Sequence, residues 1–198
     1  MPITNSTVHR LAIFASGAGS NAQQIINYFK GSKHVTIALI VCNKPNAGVV
    51  NIAAKKNIPL LMIEKENFFR GNAYLNELRI HKISFVVLAG FLWKIPELLV
   101  NAFPNKIVNI HPALLPKYGG KGMYGHFVHE SVLANHETES GITIHFVNEN
   151  FDEGNHIFQA TCPVLIDDTP DTLADRIHLL EHKHFPEVIG QVLLNTKD

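Results

Sequence analysis

Lys106-Ile-Val-Asn-Ile-His-Pro-Ala-Leu-Leu-Pro116 decides how the rest of the chain reads. Ile107, Val108 and Ile110 are β-branched and apolar, which suits a buried strand. Pro112 ends it, because proline has no N–H to continue a sheet ladder. Asn109 and His111 stand two apart at the strand's carboxyl end, and a period of two puts both side chains on one face. An amide beside an imidazole makes a site for charge that develops on an oxygen. In open parallel sheets the carboxyl end of the strands is also where ligands bind.

Working outward toward the N-terminus, apolar runs predict strands over 8–16, 34–42, 59–63 and 84–89. Helices are predicted from a cap at Ser20 or Asn21 to about Lys30, up to about Lys56, over 68–82, and from Pro96 to before Pro104. The 68–82 helix carries Phe69, Ala73, Leu75, Leu78 and Ile80 mainly on one side. Nearly apolar strands that alternate with helices mean a parallel sheet with helices on both faces.

Beyond Pro116 the character changes. Gly119-Gly-Lys-Gly122 reads as a flexible loop and 126–135 as a helix. Gly141 to Val147 alternates, with Ile142, Ile144 and Phe146 on one face and Thr143 and His145 on the other. His156 to Val164 is its partner strand. An amphipathic helix over 171–193 closes the chain, with Leu173, Ile177, Leu180 and Val188 inward and a kink or split at Pro186. The predicted fold class is therefore α/β: an open, mainly parallel twisted sheet with helices on both faces and antiparallel strands added in the C-terminal half.

Composition narrows the function. Of 198 residues, 46% are hydrophobic and 17% charged, enough apolar material for a large core. Lys plus Arg and Asp plus Glu both number 17, for a net charge of +0, which argues against a nucleic-acid or anionic-membrane partner. Cys42 and Cys162 lie in apolar runs outside any Cys-x-x-Cys pair and read as buried reduced thiols of a cytoplasmic protein. No apolar run reaches membrane-spanning length. His126-Phe-Val-His129 and His182-Lys-His184 lack the further ligands of a zinc site, so no metal is expected. His182 and His184 are expected to face solvent.

Ser16-Gly-Ala-Gly-Ser-Asn21 joins a strand to a helix, where backbone N–H groups and the helix dipole favour an anion. A dinucleotide fingerprint would also need an acid at the end of the next strand. That strand ends Val41-Cys-Asn-Lys44, without one, so a phosphate is favoured over a dinucleotide. His145 either lines the site or is an ordinary half-buried strand histidine. Asp152, before Glu153-Gly154, reads on its own as a turn residue, although a carboxylate there could reach an imidazole at the sheet edge.

Taken in order, Ser16–Asn21, Leu88-Ala-Gly-Phe91, Asn109-Ile-His-Pro-Ala-Leu-Leu-Pro-Lys117, His145-Phe-Val147, Asp152 and Glu181-His182 resemble the phosphoribosylglycinamide formyltransferases, within the folate-dependent formyltransferase family. The resemblance covers essentially the whole chain. It implies a Rossmann-like formyltransferase fold in one domain over 1–198. The N-terminal half would form the phosphate and ribonucleotide side, and the C-terminal half would complete the folate and catalytic site. It implies transfer of a formyl group from the co-substrate 10-formyltetrahydrofolate to glycinamide ribonucleotide, in purine biosynthesis, by a monomer or homodimer. By similarity Asn109, protonated His111 and Asp152 are catalytic. Gly19, Ser20, Asn21, Glu181 and His129 bind the ribonucleotide. Arg70, Phe91, Leu92, Trp93, Ile95, Asn109 and Asn148 bind the folate.

The chain also departs from relatives. Trp93 stands where they often carry Arg, His178 where Gln is expected, and the 119–125 loop is longer. Rivals are less well matched. A methionyl-tRNA formyltransferase would carry a further basic domain, and a formyltetrahydrofolate deformylase reads His-His where this chain has His111-Pro112. A nicotinamide-dependent oxidoreductase lacks its acid here. A non-catalytic nucleotide-binding module would tolerate loss of Asn109 and His111.

Overall fold

The computed structural model describes residues 8–70 and 73–195. Seven strands form one sheet: β1 (His9–Ala15), β2 (Val35–Cys42), β3 (Leu60–Met62), β4 (Phe85–Leu88), β5 (Ile107–His111), β6 (Glu139–Phe146) and β7 (His156–Pro163). Their order is β3-β2-β1-β4-β5-β6-β7. The first five pair in parallel, and β6 and β7 add antiparallel, which is the predicted fold class. Central strands are buried on both faces, as their unbroken apolar runs require.

Alternate residues of these strands feed two cores. One holds Leu11, Ile13, Val87, Val108 and Ile142, covered by α1 (Ser20–Tyr28), α2 (Gly48–Lys56), α6 (His126–Ala134) and α7 (Pro170–Asn195). The other holds Phe14, Leu39, Val86 and Ile107, covered by α3 (Lys65–Arg70), α4 (Ala73–Ile80) and α5 (Glu97–Ala102). The sheet reverses direction of winding between β1 and β4. The loops after those two strands therefore part and leave a crevice at the sheet's carboxyl edge.

Four local expectations change. The single helix over 68–82 is two helices, α3 and α4, and α3 starts earlier, at Lys65. Residues 71 and 72, and the burial of Ala73, lie outside the described residues. Two separate helices need not share one apolar face: Phe68 and Leu78 are buried, whereas Phe69 and Ile80 are exposed. The N-cap of α1 is Gly19, at φ 83, rather than Ser20 or Asn21, and no side chain caps the helix.

Pro186 does not split α7, which runs unbroken through it. The missing hydrogen bond is offset by burial of Pro186 with Phe185, Val188 and Ile189 against the sheet. On the same helix His182 and His184 are half-buried rather than solvent-facing. His182 stacks on His178 at 6.2 Å, and His184 lies 4.8 Å from the Phe158 ring. Cys42 and Cys162 are free and buried. No helix among the described residues is long and apolar enough to cross a membrane.

Gly154 sets how closely β6 meets the loop that follows it. A Cβ on Gly154 would lie 1.7 Å from the Phe146 carbonyl oxygen, whereas one on Gly17 would meet nothing within 4 Å. Gly154→Ala is expected to destabilise the protein by about 1–3 kcal/mol, because the obstruction is backbone and cannot rotate away. Gly17→Ala is expected to leave stability unchanged. Urea denaturation of both variants checks the pair.

Candidate active site

The crevice is stapled at its floor. The Ser16 N–H donates to the Gly90 carbonyl at 3.0 Å, and the Ser16 hydroxyl accepts the Leu92 N–H at 3.1 Å. These bonds tie the β1–α1 turn to the segment after β4. Gly19 permits the turn: a Cβ there would lie 2.9 Å from the Val49 and Ile52 side chains of α2. With no side-chain cap, the first-turn N–H groups of α1 face the cavity and can receive an anion.

The other wall comes from pairing of β5 with β6. Their register puts Asn109 opposite His145 and His111 opposite Thr143. Thr143, fully buried, fixes the chain beyond His111. Its hydroxyl donates to the Ala113 carbonyl at 2.7 Å and accepts the Leu115 N–H at 3.0 Å. The His145 Nδ1 lies 2.8 Å from the Phe146 carbonyl and so carries a proton. Its Nε2 then accepts the Asn109 amide N–H at 3.1 Å.

Asp152 enters this cluster from the β6–β7 loop at φ 56, a left-handed conformation that aspartate tolerates better than most residues. Its Oδ1 accepts from Asn109 at 3.4 Å and lies 3.5 Å from His145 Nε2. Its Oδ2 lies 3.6 Å from His111 Nδ1. Burial pushes the Asp152 carboxyl up, but the neighbouring His145 and His111 rings and the Gly120 N–H outweigh it. The group is held below the usual carboxylate range.

His111 stands under opposing influences. Burial lowers its pKa from the ordinary 6.5, and His145 adds to the lowering. The Asp152 charge and the Tyr118 carbonyl oppose burial without overcoming it. The net direction is downward, although each ring nitrogen faces an acceptor, the Tyr118 carbonyl or the Asp152 carboxylate. Its Nε2 donates to the Tyr118 carbonyl at 2.7 Å, leaving Nδ1 as the basic nitrogen, turned toward Asp152.

At the far end, the Asn21 amide donates to Glu181 Oε2 at 2.7 Å, joining α1 to α7. Both side chains are buried, and Asn21 Oδ1 has no partner. Burial raises the Glu181 carboxyl above its ordinary value. His129 is 3% exposed with an unpartnered Nδ1. Burial first, then the imidazoles of His178, His126 and His111, push it down to about 4.

One cavity of about 570 Å³ gathers these groups. Gly19, Ser20, Asn21, Phe91, Leu92, Trp93, Ile95, Asn109, His111, His129, Asn148, Asp152 and Glu181 all line it. Phe91 and Ile95 are also core residues. Arg70 stands apart: it is exposed, does not line the cavity, and pairs with Glu66 one turn away. His145, left open by its strand pattern, lies inside the cluster. The Tyr118 carbonyl went unread because a backbone acceptor leaves no mark in sequence. Among the described residues, no group of three or more His, Cys, Asp or Glu is arranged to hold a metal ion.

An amide, an imidazole and a carboxylate at the carboxyl edge of a doubly wound sheet define a site able to stabilise an oxyanion while moving a proton, the demand of acyl-group transfer. The model of the Formyl transferase family matches residues 9–189, and the chain belongs to that family. It is 37% identical over 194 residues to a Bacillus subtilis phosphoribosylglycinamide formyltransferase, covering 95% of this chain and 97% of the relative. It is 42% identical over 189 residues to the chloroplastic phosphoribosylglycinamide formyltransferase of Arabidopsis thaliana, covering 92% of this chain but 65% of the relative. The chain thus spans just under two thirds of that plant protein's length. The crystal structure of glycinamide ribonucleotide transformylase 1 from Geobacillus kaustophilus superposes with a TM-score of 0.85 at 35% identity, covering 94% of this chain and 99% of that one.

The depressed His129 has a thermodynamic consequence. Its folded pKa, about 4, lies below the ordinary 6.5, so between those values the unfolded chain binds a proton that the native site resists. Stability contributed by the neutral ring is present above pH 6.5 and is lost as the pH falls toward 4. His129→Gln should flatten this acid-side decline. Melting temperatures across the interval decide it, and an unchanged slope would exclude His129 as a source.

Proposed function

We propose that this protein transfers the formyl group of 10-formyltetrahydrofolate to the amine of glycinamide ribonucleotide. One observation carries the reading. A single carboxylate, Asp152, lies within 3.6 Å of His111, His145 and Asn109, in a cavity whose other end is an uncapped helix N-terminus.

The phosphate is assigned to the N–H groups of Gly19, Ser20 and Asn21, and the ribose to Glu181 with His129 beside it. The pterin lies against Phe91, Leu92, Trp93 and Ile95, with backbone groups near Asn148 reading its edge. The substrate amine attacks the formyl carbon and forms the new C–N bond, and the carbonyl electron pair moves to oxygen. Asn109 faces that oxygen. Its long 3.4 Å contact with Asp152 is the one exchanged for it. A fixed donor at such an oxyanion is often worth about 3–4 kcal/mol.

His111 accepts the proton lost by the amine at Nδ1 and is cationic beside the new negative charge. Asp152 holds the resulting imidazolium. The oxyanion then collapses, the bond to the folate nitrogen breaks, and the proton passes to that nitrogen. The two buried free thiols favour a reducing, cytoplasmic setting for a monomer or homodimer that acts on small molecules.

A direct assay mixes purified protein with both substrates and follows the deformylated folate by absorbance. His111→Ala should abolish turnover while glycinamide ribonucleotide still binds by calorimetry. Full activity in that variant would refute the mechanism.

A further inference from the structure

One short turn touches both members of the acid–base pair. The Tyr118 carbonyl takes the His111 Nε2 proton at 2.7 Å, and the Gly120 N–H donates to Asp152 Oδ2 at 3.0 Å. Gly119, between them, is packed tight: a Cβ would lie 2.6 Å from Leu115 Cδ2 and 3.3 Å from Asp152 Cβ. Tyr118 itself sits at φ 57, a conformation that a bulky L-residue holds only when its surroundings enforce it.

The enforcement comes from outside the cavity. The Tyr118 phenol donates to Glu137 Oε1 at 2.8 Å, and the same oxygen accepts from Lys117 Nζ at 2.8 Å. Glu137 lies between α6 and β6, with its N–H on the Val132 carbonyl at 3.3 Å, so it is tied to a regular element. Burial and the Glu137 carboxylate both push the phenol's pKa up, while hydrogen bonds from Lys117 and Tyr118 lower that of Glu137. The bond is thus one from a neutral phenol to a charged carboxylate. Neither Tyr118 nor Glu137 lines the cavity.

We propose that Tyr118, anchored through its phenol by Glu137, is a positioning residue that sets the tautomer and orientation of the His111 ring. With Nε2–H tied to the Tyr118 carbonyl, Nδ1 is the nitrogen left to exchange a proton, and it faces Asp152. Releasing the phenol frees the left-handed backbone to relax, the carbonyl swings, and the ring samples both tautomers. This rests on the reading of His111 as the proton carrier.

The test compares Tyr118→Phe, Glu137→Ala, Glu137→Gln and the double variant Tyr118→Phe/Glu137→Ala. Two readouts are used: the ¹⁵N NMR signature and titration of the His111 ring, and kcat and KM against pH. Tyr118→Phe and Glu137→Ala should each lower kcat about five- to tenfold, the scale of one lost hydrogen bond, with both KM values nearly unchanged. The His111 titration and the matching limb of the kcat profile should shift together. Glu137→Gln keeps an acceptor for the phenol and should stay near wild type. The double variant should be no worse than either single one, since both break the same link.

An unchanged His111 signature in Tyr118→Phe, multiplicative losses in the double variant, or lowered melting temperature with normal kcat would each overturn the proposal. The NMR arm needs no substrate. A wild-type protein that fails to transfer formyl groups would therefore refute the functional reading, while the ring signature still decides the role of Tyr118.

Discussion

A carboxylate withdrawn from most of its water is the constraint around which the site is arranged. Asp152 lies among two imidazoles, an amide and a backbone N–H, and its carboxyl is held below the usual carboxylate range despite its burial. An unpaired charge at that depth would take up a proton instead. The neighbours come from three separate parts of the chain: β5, β6 and the 118–120 turn. The cluster exists only when the antiparallel pairing of β5 with β6 is in register, and a one-residue slip would turn Asn109 and His111 away from it.

That pairing also divides the work of the molecule. The parallel half, with its reversal between β1 and β4, opens a crevice and places a helix N-terminus at one end. The antiparallel half closes the crevice and brings titratable groups to the other end. Helix α7 spans the two, with Glu181 on Asn21 at one point and Leu173, Ile177 and Val188 in the core along its length. Burial that lowers the pKa of His111 and His129 therefore comes from the same packing that stabilises the fold, so the site's acid–base character and the protein's stability share one source.

Much of this was legible before any coordinates. Apolar strands alternating with helices implied a parallel sheet, and the alternation over 141–147 implied the added strand. Asn109 and His111 were placed on one face by spacing alone. What escaped was of two kinds. The predicted single helix over 68–82 is broken into α3 and α4, and the packing of α3 puts Phe68 rather than Phe69 in the core. Arg70, assigned to the folate side by resemblance, lies on an exposed helix paired with Glu66.

By itself, the sequence determined the layer architecture, the strand that carries the amide and imidazole, and the glycine turn that opens a helix toward an anion. These follow from local periodicity, proline and glycine chemistry, which act over a few residues. Only the tertiary structure decided that His145 joins Asn109 and Asp152, and that a tyrosine carbonyl holds the His111 ring. Those outcomes depend on burial and on contacts between segments far apart in the chain, and a linear pattern does not encode the dielectric around a side chain.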